Sequence, residues 1–228
     1  MSQASSKPTL GDLKRVNHVV DKIDKQESKI VFKRVDDKDN LVLYGVSDAS
    51  WSAKKRPVEG LIVMLGSKKN DRVSPITWKS HSITKTTKST KDSETRSLST
   101  NAMKSTKFAR MIERLLFGTY LRKITVKNFA DNRPLLETIA STKPAKNSEL
   151  LGEIRYLKDK LRLSEISSYC WLPTDKMISD FLTKEMKINP TVWGVFLHGV
   201  WEDGKTEWNK VIMKNLEYKL INPTNKDN

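Results

Sequence analysis

The sequence predicts a mixed α/β fold, one five-stranded sheet with helices packed on both faces. Three observations predict it. Residues 41–80 hold three strand-like runs, LVLYGVSD at 41–48, GLIVMLG at 60–66 and PITWKS at 75–80, divided by Pro, Gly and charged turns; this reads as an antiparallel meander. The longest helical pattern of the chain follows, from about Ser93 to Phe117. Beyond it strand and helix alternate, which describes two strand–helix units added to the same sheet.

Each element has its own signal. Residues 1–9 are Ser-rich and expected to be disordered. Leu13, Val16, Val19, Val20 and Ile23 have helical spacing, so a helix is expected over 12–23, followed by a short strand KIVFKRV. In the long helix Leu98, Ala102, Ser105, Phe108, Ile112 and Leu115 recur at three and four, and Gly118 supplies a stop. Then come a strand at 123–130, helices at 134–141 and 148–162, a strand at 165–171 and a helix at 175–186. The expected organisation is an N-terminal segment 1–40, a domain over 41–187 and a Trp-rich extension over 188–228. Trp51, Trp78 and Trp171 read as core residues at strand ends.

Composition narrows the function. The 228 residues include 42 Lys and Arg against 27 Asp and Glu, a formal charge of +15. An excess of that size points to a polyanionic partner, nucleic acid above all, unless lysines simply decorate the surface. Cys170 is the only cysteine, which excludes an internal disulfide and fits a reducing, intracellular setting, cytoplasmic or nuclear. No Cys/His cluster has zinc spacing. No apolar run approaches the ~18 residues of a membrane span, so no membrane partner is expected.

Four carboxylates sit where ordinary solvation does not explain them. Asp48 ends the apolar run of the first strand, and a carboxylate in a core strand is costly unless paired or coordinated. Glu94 lies in the first turn of the long helix, four residues before Leu98 and so on its sheet-facing side. Asp131 closes the strand KITVKNFA, and Asp180 lies between Met177–Ile178 and Phe181–Leu182. Singly, each has a plain explanation: Glu94 favoured by the helix dipole, Asp131 an N-cap, Asp180 a solvated helix position and Asp48 the start of a turn. Together they fit one site, and carboxylates brought together repel unless cations neutralise them. Hard oxygen ligands suit Mg2+ or Mn2+, and two such ions roughly 3.5–4 Å apart are a recurrent solution for phosphodiester hydrolysis.

At these residues the sequence resembles the ribonuclease H domain of copia-type retrotransposon Pol polyproteins. YGVSDASW resembles that family's "GYSDADW"-like first-strand motif, and VSPITWKSHSITKTTKSTKDSETRSLSTNA its "ISWKSKKQ…STEAEYxAL" block. NFADNRPLLETIAST is similar to "xxDNxxAIxLAxNP". LLGEIRYLKDKL and CWLPTDKMISDFLTKEM resemble "HIDIRYHFIREKV" and "YVPTxxQxADIFTKPL". PTLGDLKRVNHVVDKI resembles the segment that joins reverse transcriptase to ribonuclease H. The resemblance covers roughly residues 8–187 in order. It implies a ribonuclease H-like fold, Asp48, Glu94, Asp131 and Asp180 as ligands of two Mg2+ or Mn2+ ions, and hydrolysis of the RNA strand of an RNA–DNA hybrid. One ion would activate the attacking water and the other would stabilise the leaving 3′ oxygen. Departures are Arg96, where an apolar residue is common, and Leu151-Gly152-Glu153 in place of "HID". Residues 151–179 lack the auxiliary histidine frequent in cellular enzymes of this type.

The chain opens on Met1 and carries no Y-x-D-D polymerase signature. A protein partner is therefore expected, through the C-terminal extension or the face that reverse transcriptase normally covers. Substrate contacts are expected from Lys104, Lys107, Arg110 and Arg114 along the long helix and from Lys85, Lys88 and Lys91 in the segment before it. Asn101, Asn132 and Arg133 are candidates beside the site by position. Two other readings stand beside the nuclease: a catalytically inactive module that binds nucleic acid or serves as a structural subunit, and a transposase or integrase on the same fold.

Overall fold

A nearly unbroken apolar run makes a strand that belongs in the middle of a sheet, buried on both faces. That strand is β1 (Leu41–Ser52), buried from Leu41 through Ala49. The computed structural model describes residues 9–25, 30–35, 38–52, 55–141, 148–184 and 190–202. β1 pairs antiparallel with β2 (Lys55–Ser67), and β2 pairs antiparallel with β3 (Val73–Ser82). On its other side β1 lies parallel to β4 (Thr125–Ala130), which lies parallel to β5 (Ser168–Trp171). The order β3-β2-β1-β4-β5 is the mixed five-stranded sheet expected of the ribonuclease H-like fold. Pro75 lies in β3, at the edge of the sheet, where a missing backbone donor is tolerated.

Helix α1 spans Leu10–Lys25, and α2, of 28 residues, spans Thr90–Phe117. Ser89 caps α2 by accepting from the Asp92 amide, and Gly118 closes it at φ 71° with its amide on the Arg114 carbonyl. With α3 (Arg133–Ala140) and α4 (Leu151–Arg162), α2 covers one sheet face, where Leu98, Leu135, Leu136 and Leu157 meet Leu43, Val63 and Tyr169. The other face buries Val42, Tyr44, Ile62 and Phe129 under Met177, Ile178, Val195 and Trp201. Short helical turns cover it: 3-10 turns at Thr174–Lys176 and Asp180–Leu182, then α5 (Pro190–Trp193) and a π turn at Gly194–His198. Trp201 meets Tyr44 and Phe129 edge-on at 5.2 and 5.0 Å. Of the tail, residues 203–228 lie outside the described residues, as do residues 1–8.

Three expectations are corrected. The helix expected over 175–186 is two 3-10 turns, because the backbone is extended at Met177 so that Met177 and Ile178 enter the core together. Spacings of three and four read alike in both cases; 185–186 lie outside the described residues. KIVFKRV is no strand over 30–35: the adjoining sheet end pairs Arg72 with Val200, and Val31 donates instead to the Phe196 carbonyl at 2.8 Å. Trp51 and Trp78 are 37% and 39% exposed, not core residues. Trp51 stands at the end of β1 with its ring N–H toward the Thr87 carbonyl, and Trp78 sits edge-on to Phe196.

Candidate metal centre

Parallel neighbours end on the same side of a sheet, and this places Asp48 of β1 beside Asp131, the residue after β4. α2 begins at Thr90, three residues earlier than the sequence suggests, and its second turn brings Glu94 over the strand ends. Each of the three offers a carboxylate oxygen, and these oxygens lie within 4.8 Å of one another. Asp48 and Glu94 are buried and Asp131 is half-buried. Ser97 ties α2 to β1 by donating to the Asp48 carbonyl at 3.0 Å. Trp171 fixes the turn after β4 by donating to the Asp131 carbonyl at 3.0 Å, and Thr174 donates to the Asp131 carboxylate at 3.1 Å.

Asp180 stands at the side of this cluster, joined to it through a cation. Lys184 Nζ lies 2.9 Å from Asp180 Oδ2 and 3.5 Å from Asp48 Oδ2, and the Thr183 hydroxyl donates to Asp48. These two residues were missed in the sequence, although Lys184 is four residues after Asp180, the spacing of a helical ion pair. The turn that carries them rests on Gly60, the cross-strand partner of Asp48. A Cβ at Gly60 would meet Leu182 Cβ at 2.7 Å and the Ser179 carbonyl at 2.9 Å. Gly60→Ala is therefore expected to cost about 1–3 kcal/mol by overpacking and to weaken cation binding, read by chemical denaturation and by Mn2+ titration of the same sample. A neutral result in both would show that this contact does not hold the turn.

Electrostatics agree with a cation site. Burial, then Asp131 and Asp48, push the Glu94 carboxyl up to about 9, with a hydrogen bond to Asp131 in the same direction and Lys184 opposing. Burial and Asp48 push Asp180 up to about 6 against the pull of Lys184. Burial disfavours the Lys184 charge, but Asp48 and Asp180 outweigh it and raise its pKa. Asp131 Oδ1 and Asp180 Oδ1 are buried without a donor among the described residues. An all-oxygen donor set with orphaned carboxylate oxygens fits a hard divalent cation.

The sign of the pH dependence follows. A carboxyl whose pKa is raised on folding stabilises the fold fully below its ordinary value, and that stability is lost as pH rises through the raised one. Without metal, the thermal midpoint is expected to fall between about pH 5 and 9, the span set by Glu94. Glu94→Gln should flatten this slope, and Mn2+ should raise the midpoint more at pH 8 than at pH 6, since binding displaces protons. A slope unchanged by the substitution would contradict the assignment.

The expected substrate contacts scatter. Lys85 pairs with Glu153 at 3.3 Å and Lys88 with Glu149 at 2.6 Å, both still well exposed. Asn132 caps α3, accepting from the Leu135 amide at 2.9 Å, and Arg133 pairs with Glu137 at 3.2 Å on the surface. Asn101 does not fit a substrate contact. It is fully buried against Gly45, where a Cβ would come within 2.8 Å of its amide. Lys104 is half-buried, its pKa lowered by burial and by Lys79, while Glu59 pulls it back up. The two departures noted in the sequence meet: Arg96 binds Glu153 at 3.1 Å and Asp92 at 2.8 Å.

No protein-family model matches the chain, and no curated protein does. Solved structures do. The N-terminal ribonuclease H domain of a Mycobacterium tuberculosis protein, solved as a fusion with maltose-binding protein, is 13% identical with a TM-score of 0.46, covering 63% of this chain and 91% of that one. Ribonuclease H1 of Halobacterium salinarum is 10% identical with a TM-score of 0.46, covering 62% and 93%. A ribonuclease H1 solved in complex with an RNA/DNA hybrid is 14% identical with a TM-score of 0.44, covering 62% and 92%. These are likenesses of shape alone.

Proposed function

We propose that this protein is a retrotransposon-derived ribonuclease H that hydrolyses the RNA strand of RNA–DNA hybrids with two Mg2+ or Mn2+ ions. The observation that carries the reading is the convergence of Asp48, Glu94 and Asp131 within 4.8 Å at the ends of adjacent parallel strands. The five sequence blocks that resemble copia-type Pol polyproteins support its origin, and the charge of +15 suits a polyanionic substrate. Among the described residues no helix is long and apolar enough to cross a membrane. An intracellular place, cytoplasmic or nuclear, suits such a substrate.

Asp48, Glu94 and Asp131 would hold the cations, with Asp180 completing the set from the side. When bound, such ions activate water toward the phosphodiester and neutralise charge on the leaving 3′ oxygen. Glu94 must give up its proton to bind, and Lys184 must release Asp48 and Asp180 or share them. Thr174 and Thr183 orient the Asp131 and Asp48 carboxylates through their hydroxyls. Lys184 also favours the second reading, an inactive nucleic-acid-binding module, because its ammonium already neutralises part of the cluster.

End-labelled RNA annealed to DNA separates the two. The nuclease reading expects cleavage of the hybrid in Mg2+ or Mn2+, none in EDTA, and none of single-stranded RNA or RNA duplex. Hybrid binding without cleavage in either metal would establish the inactive module.

A further inference from the structure

The outer side of α2, away from the acidic cluster, faces α4 across a groove of about 440 Å³. Met103, Lys107, Arg110, Met111 and Arg114 line it from α2 and Tyr156 from α4. The methionines are 55% and 47% exposed, and Leu115 just beyond is 83% exposed. Arg110 and Lys160 share Glu165 at 2.6 and 2.5 Å. Among the described residues Lys107 and Arg114 have no acidic partner. Along the groove exposed methionines thus alternate with two cations that have no acidic partner among the described residues. The groove begins nine residues beyond Glu94 on α2, about 13 Å along the helix at 1.5 Å per residue.

We propose that this groove docks an acidic amphipathic helix of a partner protein. Met103 and Met111 are two turns apart, about 12 Å, a spacing that receives apolar side chains at i, i+3 or i+4 and i+7 of a helix laid along the groove. Methionine adapts its shape to such anchors. Lys107 and Arg114 then face the acidic flank of the incoming helix. Charge complementarity disfavours the other occupants within this chain. A second copy carries +15, and residues 203–228 hold five Lys against four Asp and Glu. A nucleic-acid strand would match the cations but leave the exposed methionines and Leu115 without an apolar counterpart.

The proposal goes beyond the hydrolytic reading and can fail without it. A displayed library of random helical peptides is selected on the full chain, and enriched peptides are titrated against wild type, Met111→Glu and Arg114→Glu. Hybrid affinity and cleavage are measured in parallel, and thermal melts confirm that the variants fold. The expected result is enrichment of acidic peptides with apolar residues at three- and four-residue spacing. Their affinity should drop at least tenfold in both variants while Met111→Glu leaves hybrid cleavage unchanged. Enrichment of nothing, of peptides without acidic bias, or of peptides indifferent to both substitutions overturns it. So does a fall in hybrid affinity in both variants without peptide selection, which would make the groove a nucleic-acid track.

Discussion

Asp131→Asn is expected to reduce hybrid cleavage about a thousandfold or more in Mg2+ while leaving the fold intact. Asp131 offers a buried oxygen that no donor among the described residues satisfies, within the cluster it shares with Asp48 and Glu94. The amide keeps the shape and removes the charge. Lewis-acid stabilisation of a phosphoryl transition state is worth several kcal/mol, and about 1.4 kcal/mol corresponds to a factor of ten in rate. Removing Asp131 also relieves the repulsion that raises Glu94, so the metal-free variant should be no less stable at pH 8 than wild type. Single-turnover cleavage and thermal melting at pH 8 check both parts. Cleavage within tenfold of wild type would remove Asp131 from the machinery.

Glu113→Ala is expected to cost about 3–5 kcal/mol of stability, the largest loss from any single polar side chain considered. Glu113 is fully buried on α2 and accepts three backbone amides of the turn before β4: Leu121 and Arg122 on one oxygen, Ile124 on the other, each at 2.7 Å. Charged acceptors of backbone N–H groups are the stronger kind of hydrogen bond, and alanine would strand three donors. The turn includes Arg122 at φ 55°, and Arg122 also donates to the Leu163 carbonyl beyond α4. It therefore sets where β4 begins and, six strand residues later, where Asp131 falls. Glu113→Gln should cost less, since one oxygen remains. The denaturation midpoints of the two variants check the ranking; a loss under 1 kcal/mol for Glu113→Ala would show that the turn does not depend on this carboxylate.

The sheet was legible because its strands carry strong, simple signals. β1 is a continuous apolar run, and the long helix repeats its apolar residues at three and four, so both were placed with little error. The same stripe contained a warning about Asn101. Glu94, Leu98, Asn101 and Ser105 follow at four, three and four, all on the buried side. Reading Asn101 by its nearness to the site, rather than by its phase, put it wrongly beside a substrate.

What escaped the sequence was tertiary. Whether residues 175–184 form one helix or two tight turns depends on how Met177 and Ile178 dock on the second face, which no local period encodes. Lys184 reaches Asp48 only because Gly60 lets the turn settle on the sheet. The pairing of Arg96 with Glu153 joins the second turn of α2 to the start of α4, two departures that looked unrelated along the chain.

Whether Asp48, Glu94 and Asp131 hold a cation can be tested without substrate. Mn2+ is titrated into the purified protein at pH 8 and the free ion is followed by its EPR signal, for wild type and for Asp48→Asn. Saturable uptake by wild type is expected, lost or weakened at least tenfold in the variant and competed by Mg2+. Equal uptake by both proteins, or none by wild type, would contradict it.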